Sequence, residues 1–409
     1  MSEYQLTELG EIPKDWDISD IADIGNVITG STPKTADKEN YGNEYLFVSP
    51  IDLGTFKYVS TTQKQLSKKG FNKTRHIPKG SILVTCIGST IGKVGVAKKE
   101  LSTNQQINSI ACYNICYNEF IYYTIEYNFK NYRKYISNQA VPIIKKSLFS
   151  EFPIQLPPLI EQQKIAAILS SVDEAIEKTE QIIKQTEKVK KGMMQQLLTK
   201  GFGHTKFKET PIGEIPEEWE VLKQGDVATF FNGRAYKQKE FVKEGTPVVR
   251  IQNLTGGGNY VYSNLELNKN KYISTGDLVY AWSATFGPYI WQGPEAIYHY
   301  HIWKIECGNK IDKMFFYYRL HFLSNESNNQ KSGAVFAHLT KSFMESYEIA
   351  LPPINEQEKI VTILGSIDKK ITSEEQKCVK LKFLKQGLMQ DLLTGKVRVP
   401  IDNEEVVET

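Results

Sequence analysis

One segment of this chain is written twice. Residues 156–199 open with Leu156-Pro157-Pro158-Leu159 and close with Leu197-Leu198-Thr199. They recur without a gap at 351–394, an offset of 195 at which about half of the paired positions are identical. The matched set includes Glu161-Gln162 with Glu356-Gln357, Asp173 with Asp368, and Gly192 with Gly387. A second pair marks the segment starts, where Gly10-Glu11-Ile12-Pro13 and Trp16 return as Gly213-Glu214-Ile215-Pro216 and Trp219, offset by 203. Between these markers the match thins to islands, such as Phe120-Ile121-Tyr122-Tyr123 against Phe315-Phe316-Tyr317-Tyr318. Internal repetition of this kind decides the fold before any single residue does. Similar ends with divergent middles describe one fold used twice for two different targets.

The matched segments carry a heptad seam. Ile165, Leu169, Val172, Ile176, Thr179, Ile183, Thr186, Lys190, Met193 and Leu197 step by alternating fours and threes. The twin reads Ile360, Leu364, Ile367, Ile371, Glu374, Cys378, Leu381, Lys385, Leu388 and Leu392. Each helix has one apolar stripe to hide, and the simplest partner for each is the other. Lys190 and Lys385 lie on that stripe and are expected to snorkel to water. Gly192 and Gly387 mark either a close approach or a fraying last turn.

Lengths set the direction of pairing. A helix of ~39 residues is roughly 58 Å long. Parallel helices would require the chain to return that distance between Lys200 and Ile212, yet thirteen residues reach at most about 45 Å. The helices must therefore run antiparallel, with one variable domain at each end and a pseudo-twofold axis between them. The variable middles hold short β-branched or aromatic runs bounded by Gly, Pro or Asn, at 81–87, 247–251 and 278–282, which read as strands. Residues 118–136 and 310–323 read as helices. Each middle is thus an α+β globule.

At 409 residues the chain exceeds one ordinary domain. No uninterrupted apolar stretch approaches the ~20 residues that a membrane span needs. Residues 1–16 carry Glu3, Glu8, Glu11 and Asp15 without an apolar core, so no secretory signal is expected. Five scattered cysteines do not make a disulfide framework. A reduced, cytoplasmic protein without membrane association is the expectation. The net charge of +3 conceals an uneven distribution. Residues 57–99 hold lysines and arginines and no acid, a composition suited to polyanions.

These motifs bring a family into view. Gly-Glu-Ile-Pro-x-x-Trp at 10–16 and 213–219, Leu-Pro-Pro-x-x-Glu-Gln at 156–162 and 351–357, and the Leu-Leu-Thr helix ends resemble the DNA-specificity subunit of type I restriction-modification systems. Gly80-Ser-Ile-Leu-Val with Ile87-Gly-Ser-Thr-Ile-Gly-Lys93, and Gly276 to Gly287, are similar to it as well. The resemblance implies an α+β chain with two target recognition domains, 1–155 and 201–350, and two antiparallel coiled-coil spacer helices, 156–200 and 351–396. An acidic tail follows at 397–409. It implies that each domain reads half of a bipartite, asymmetric site in double-stranded DNA. The helices would set the unread gap and dock two modification (methyltransferase) subunits, with motor-nuclease restriction subunits outside them. This chain would carry no cofactor. S-adenosylmethionine, ATP and Mg²⁺ would belong to those partners.

Base readers are sought on loops and strand ends. Arg can fork onto guanine O6 and N7, and Asn or Gln onto adenine. Asn232, Arg234, Tyr236 and Lys237 form a turn whose first-domain counterpart offers Ser31, Thr32 and Lys34. Ser89, Thr90 and Lys93 follow one strand, and Trp282, Ser283 and Thr285 follow another. Asn104, Gln105 and Gln106, and separately His299 and His301, are side chains able to read bases, and Arg250 lies in the strand read at 247–251. Any of these can equally be an ordinary surface turn or the polar face of a strand. Lys68, Lys69, Lys73, Arg75, Lys145, Lys146, Lys331 and Lys341 suit phosphates, which fix position without specifying sequence.

Several decoys fail. Residues 88–94 resemble a phosphate loop, but the spacing is one residue short and Val94 replaces Ser or Thr. Cys112 and Cys116 lack a second ligand pair for zinc. No adenine-methylation motif is present. The competing classes are a nuclease with an unrecognised site and a coiled-coil adaptor that binds proteins only.

Overall fold

The computed structural model describes residues 3–136, 141–329 and 340–400. Lys331 and the tail acids from Asp402 onward lie outside the described residues. The chain divides into two compact units, Met1–Ile182 with Glu374–Thr409 and Ile183–Ser373. Each unit holds one variable domain and a stretch of both long helices, which span Leu159–Thr199 and Ile354–Leu393.

Within each unit the two helices run antiparallel. In the first unit Asp173 accepts an ion pair from Lys385 at 2.9 Å, and twelve residues earlier Glu161 meets Arg398 at 2.8 Å. In the second unit Lys190 meets Asp368 at 2.5 Å, and Phe202 N donates to Glu356 at 3.1 Å. One number rises as the other falls, which only antiparallel chains allow. The seam is as the heptads predict: Ile165, Leu169, Ile360 and Leu364 are fully buried. Thr179 fits the stripe by returning its hydroxyl to Ala175 O at 2.7 Å. The seam lysines are a correction. Neither snorkels to water; each is held by carboxylates. Lys385 bridges Asp173 and Glu126, whose charges raise its pKa against the opposing effect of burial. The same aspartates accept from tyrosines of the adjoining domain, Tyr123 to Asp173 and Tyr318 to Asp368, both at 2.7 Å.

The repeated motifs seat each domain on its helix. Gly10 and Gly213 take φ of 109° and 103°, the left-handed turn of a hairpin that glycine adopts most easily. That hairpin is Tyr4–Thr7 with Gly10–Pro13 in one unit and Phe207–Thr210 with Gly213–Pro216 in the other. It delivers a buried indole to the helix start. Trp16 Nε1 donates to Glu161 at 3.1 Å, and Trp219 Nε1 to Glu356 at 3.0 Å. The next residue ties in the domain: Gln162 accepts from Tyr117 N and Gln357 from Asp312 N, both at 2.8 Å. A strand enters each helix, Pro153–Leu156 paired with Asp17–Asp20 and Glu348–Leu351 paired with Glu220–Lys223.

Beside these two-stranded pairs, each unit carries two larger sheets of four or five strands. In the first unit Gly25–Thr29, Ile107–Cys112, Ile82–Thr85, Val94–Ala97 and Tyr58–Val59 lie in that order, and the second unit repeats the first four as Ala228–Asn232, Ile302–Cys307, Leu278–Ala281 and Gly287–Ile290. Ile82–Thr85 and Leu278–Ala281 are buried throughout, as central strands covered on both faces should be. The second sheets are centred on Tyr41–Val48 with Leu101–Thr103, and on Thr246–Val249 with Ala296–Tyr298. The strand expected at 247–251 stops at Val249, because Arg250 N turns to Asn253 Oδ1 at 2.9 Å and opens a short helix, Ile251–Leu254. The helix expected from 310 begins at Lys313, where Asp312 accepts from Met314 N and Phe315 N. The other, expected over 118–136, spans Asn118–Tyr132.

Two stability predictions follow from the helices. Gly192 and Gly387 are exposed inside continuous helix, and an added Cβ would meet nothing within 4 Å. Neither is a close approach, so Gly192→Ala and Gly387→Ala should each stabilise the chain by about 0.5–1 kcal/mol, read as a rise in thermal midpoint. Glu161 has no exposed side-chain surface and holds Trp16 together with the Arg398 guanidinium. Glu161→Ala strands the buried Trp16 indole, while Arg398 keeps its bidentate pair with Asp15, and should cost about 1–3 kcal/mol in denaturant unfolding; an unchanged unfolding midpoint would show that the pairing contributes little.

Candidate nucleic-acid interface

The ends of the first sheets meet the second sheets in the same hydrogen-bonded corner in both units. In the first unit Gly30 N donates to Ile107 O and Ser31 N to Thr103 O, at 3.0 and 2.9 Å. In the second, Gly233 N donates to Ile302 O and Arg234 N to Tyr298 O, both at 3.1 Å. The corner is tight. A Cβ on Gly30 would stand 2.1 Å from Asn104 O, and one on Gly233 2.1 Å from His299 O, so only glycine fits. Two more bonds complete the match: Asn104 N to Val48 O with His299 N to Val249 O, and Cys86 N to Gln106 O with Trp282 N to His301 O. Ser31, Ser49, Cys86, Asn104, Gln105 and Gln106 of one domain therefore stand where Arg234, Arg250, Trp282, His299, Tyr300 and His301 stand in the other.

The first corner is rich in amides and hydroxyls. Thr32 Oγ1 donates to Gln105 Oε1 at 2.6 Å, Asn104 Nδ2 to Gln106 Oε1 at 2.9 Å, and Gln106 Nε2 to Ile87 O at 3.3 Å. Arg75 joins the group, its N donating to Ser31 Oγ and its guanidinium to Thr29 O. The loop carrying Ser89, Thr90 and Lys93 leaves the central strand beside it, with Gly92 N on Thr85 O and Lys93 Nζ on Pro50 O at 3.4 Å. Residues 142–144 strap onto that loop through Gly88 N to Pro142 O and Ile144 N to Cys86 O, which brings the exposed Lys145 and Lys146 next to it.

The second corner is basic and aromatic. Trp282 Nε1 donates to Tyr300 O at 2.8 Å, and its ring contacts His301 at 5.1 Å between centroids. His299 packs against His301 at 4.9 Å. Burial first, then the neighbouring His301 and Arg250 charges, lower the pKa of His299, and burial lowers that of His301. Both imidazoles are therefore neutral at neutral pH, each offering one donor and one acceptor. Ser283 and Thr285 sit on the next turn, where Thr285 N donates to Ser283 O and Ala284 takes φ of 58°. Asn232 ends its strand with its carbonyl accepting from Lys271 Nζ, and Lys237 N donates to Glu240.

Other residues singled out from sequence are placed differently. Lys69 pairs with Glu39 and Asp37, and Lys73 with Asp37 at 3.1 Å and Asn40 at 2.9 Å. Asp37 and Glu39 precede the acid-free stretch, so its positive charge is partly neutralised from outside it. Lys57, inside that stretch, is buried on Glu119. Lys68 opens the short helix Lys68–Phe71, and Lys34 is exposed on its turn, its carbonyl accepting from Asn40 Nδ2. Lys341 opens a helix, Lys341–Ser346, and pairs with Glu345 at 3.1 Å. Sequence reasoning missed Glu240, Ser49 and the Asp37–Glu39 pair. For Glu240 the signal was available: an acid six residues beyond Arg234, across a turn.

Burial pushes the Cys86 and Cys112 thiols up to about 12 and those of Cys116 and Cys307 up to about 11, out of the range of a useful nucleophile. Among the described residues no grouping of three His, Cys, Asp or Glu is placed to hold a metal, and no helix is long and apolar enough to cross a membrane.

Comparison with known proteins gives a consistent result. Residues 13–188 and 216–382 match a family model described as type I restriction modification DNA specificity domain. A putative type I restriction enzyme MjaX specificity subunit of Methanocaldococcus jannaschii is 33% identical over 97% of each chain. The type I restriction enzyme EcoBI specificity subunit of Escherichia coli is 27% identical over 47% of this chain and 44% of its own. Among solved structures, the S subunit of a type I restriction-modification system from M. genitalium superposes with a TM-score of 0.57 at 16% identity, covering 95% of this chain and 97% of that one. A chain from a study of complex assembly and conformational transition in the type I R-M system gives 0.60 at 16% identity, over 94% and 99%. At such identities the likeness concerns the fold.

Proposed function

The chain belongs to the type I restriction modification DNA specificity family, and on that premise we propose that each of its two domains reads one half of a bipartite, asymmetric site in double-stranded DNA. It is the non-catalytic, sequence-reading member of its system. One observation carries the reading: a single hydrogen-bonded corner, built twice, presents amides and hydroxyls in one domain and arginines, imidazoles and an indole in the other. A framework kept constant while its tips diverge is what two different words require. Asn104, Gln105 and Gln106 suit adenine edges, and Arg234 with His299 and His301 suits an acceptor-rich edge. Ser31, Thr32, Ser89, Thr90, Asn232, Tyr236, Trp282, Ser283 and Thr285 line the same loops. Lys34, Lys68, Lys69, Lys73, Arg75, Lys93, Lys145, Lys146, Lys237, Arg250 and Lys341 serve the phosphates, and their acid partners moderate how strongly.

The long helices set the number of unread base pairs between the halves and dock two modification subunits. Those subunits bind S-adenosylmethionine, and restriction subunits outside them use ATP and Mg²⁺. The assembly works in the cytoplasm, where the DNA is.

Two measurements test this. Reconstitution with the modification subunits, followed by sequencing of the methylated DNA, should reveal a split site whose halves differ. Methylation of one contiguous palindrome would overturn the reading. Exchange of residues 17–150 for the matching domain of a relative should change one half-site and leave the other intact; a change in both would refute the division of labour.

A further inference from the structure

Arg234 is held at both its main chain and its guanidinium. Its N donates to Tyr298 O at 3.1 Å and its carbonyl accepts from Tyr300 N at 3.0 Å, so the main chain is fixed on both sides. Its guanidinium lies over the Tyr236 ring at 5.1 Å. Glu240 grips it end-on, Nη1 donating to Oε2 at 3.0 Å and Nη2 to Oε1 at 2.7 Å. Glu240 is itself fixed, because Oε2 also accepts from Lys237 N at 2.7 Å. The carboxylate is 15% exposed and the arginine 34%, so the Arg234 side chain stays partly open to solvent with Glu240 in place.

The geometry of the fork decides what that edge can do. An end-on carboxylate uses the facing hydrogens of Nη1 and Nη2. It leaves Nε–H and the second hydrogen of Nη2, two parallel donors on the side edge, without a partner among the described residues. Guanine presents O6 and N7 to such a pair in the major groove. A phosphate can also accept two donors, but Glu240 cancels the charge of Arg234 and sets a negative group beside the incoming anion. A neutral pair keeps its directional donors while losing its long-range pull on the backbone. The arginine is therefore specialised for a base edge.

We propose that Arg234 reads a guanine in the half-site of the second domain, and that Glu240 is the positioning residue that aims it. The proposal rests on the reading of the chain as a two-domain DNA reader. It is confined to the second domain, since Ser31 occupies the equivalent corner of the first and Arg75 there turns its guanidinium to Thr29 O. The Arg234 guanidinium and the Lys237 amide hold the Glu240 carboxyl down at about 2, so the fork stays ionised at any working pH.

The test uses the full chain assembled with its modification subunits. Competition binding is measured against duplexes in which each base pair of each half-site is varied in turn. One position in the second half should prefer a single orientation of G·C. Arg234→Lys should reduce discrimination at that position roughly ten- to hundredfold, with discrimination in the first half-site unchanged, which also shows that the variant is folded. Glu240→Gln should reduce discrimination at the same position by a smaller factor. Because the pair is then no longer neutral, it should also raise affinity for unrelated DNA and steepen the salt dependence. Glu240→Asp, which keeps the charge, should restore most of the loss. If Arg234→Lys and Arg234→Ala weaken all duplexes alike, with Arg234→Ala lowering the salt slope by about one, Arg234 is a phosphate contact and the proposal fails. If Glu240→Gln leaves discrimination intact, its positioning role fails. A wild-type complex without sequence preference in either half would instead defeat the underlying reading.

Discussion

A carboxylate shut away from water stands in the first turn of each long helix. Burying such a charge alone would cost several kcal/mol, so the surrounding structure must supply its partners. In one unit these are the Trp16 indole and the Arg398 guanidinium; in the other they are the Trp219 indole and His204. Each partner arrives from a different stretch of chain, the hairpin before the domain and the segment after a helix. Satisfying one acid thus fixes where the domain begins and where a helix begins. It also fixes where the antiparallel helix ends. The repeated motifs, which lie far apart in sequence, are the pieces of this single arrangement.

Upon that base the domains are free to differ. The buried strands, the Gly30 and Gly233 corners and the tyrosine-to-aspartate bonds hold the backbone, and none of them involves a side chain at the exposed tips. Substituting Asn104 by His, or Ser31 by Arg, leaves the shared main-chain bonds of the corner in place and removes only the local bonds that Asn104 Oδ1 and Ser31 Oγ accept from Gln106 N and Arg75 N. The tips can therefore diverge while the shared main-chain framework is kept. The second domain shows how far this extends, with two neutral imidazoles, an indole and a buttressed arginine where the first has amides and hydroxyls.

Much of this was legible before the structure. Two antiparallel helices followed from heptads and chain length, and residues 104–106, 299 and 301 stood out as polar side chains suited to base edges, although their equivalence in the two domains did not. What sequence did not reveal was pairing across distance. Lys190 and Lys385 looked like lysines stranded on an apolar seam, whereas their acids come from the facing helix and, for Lys385, also from Glu126 of the adjoining domain. Lys69 and Lys73 looked like free cations within an acid-free run, yet Asp37 and Glu39 fold back onto them. Glu240 passed unnoticed because its role depends on a turn that brings it under Arg234. Periodicity reports what a residue's own element does; it is silent about what a neighbouring element places opposite.

We propose that one corner, built twice, carries the reading side chains. Its most direct test is a structure of the chain, assembled with its modification subunits, on a duplex bearing its own site. Base edges are expected within hydrogen-bonding distance of residues 31–32 and 104–106 in one half-site, and of 234 and 299–301 in the other. DNA lying against the Lys68–Lys73 face and Lys341, with both corners turned to solvent, would contradict it.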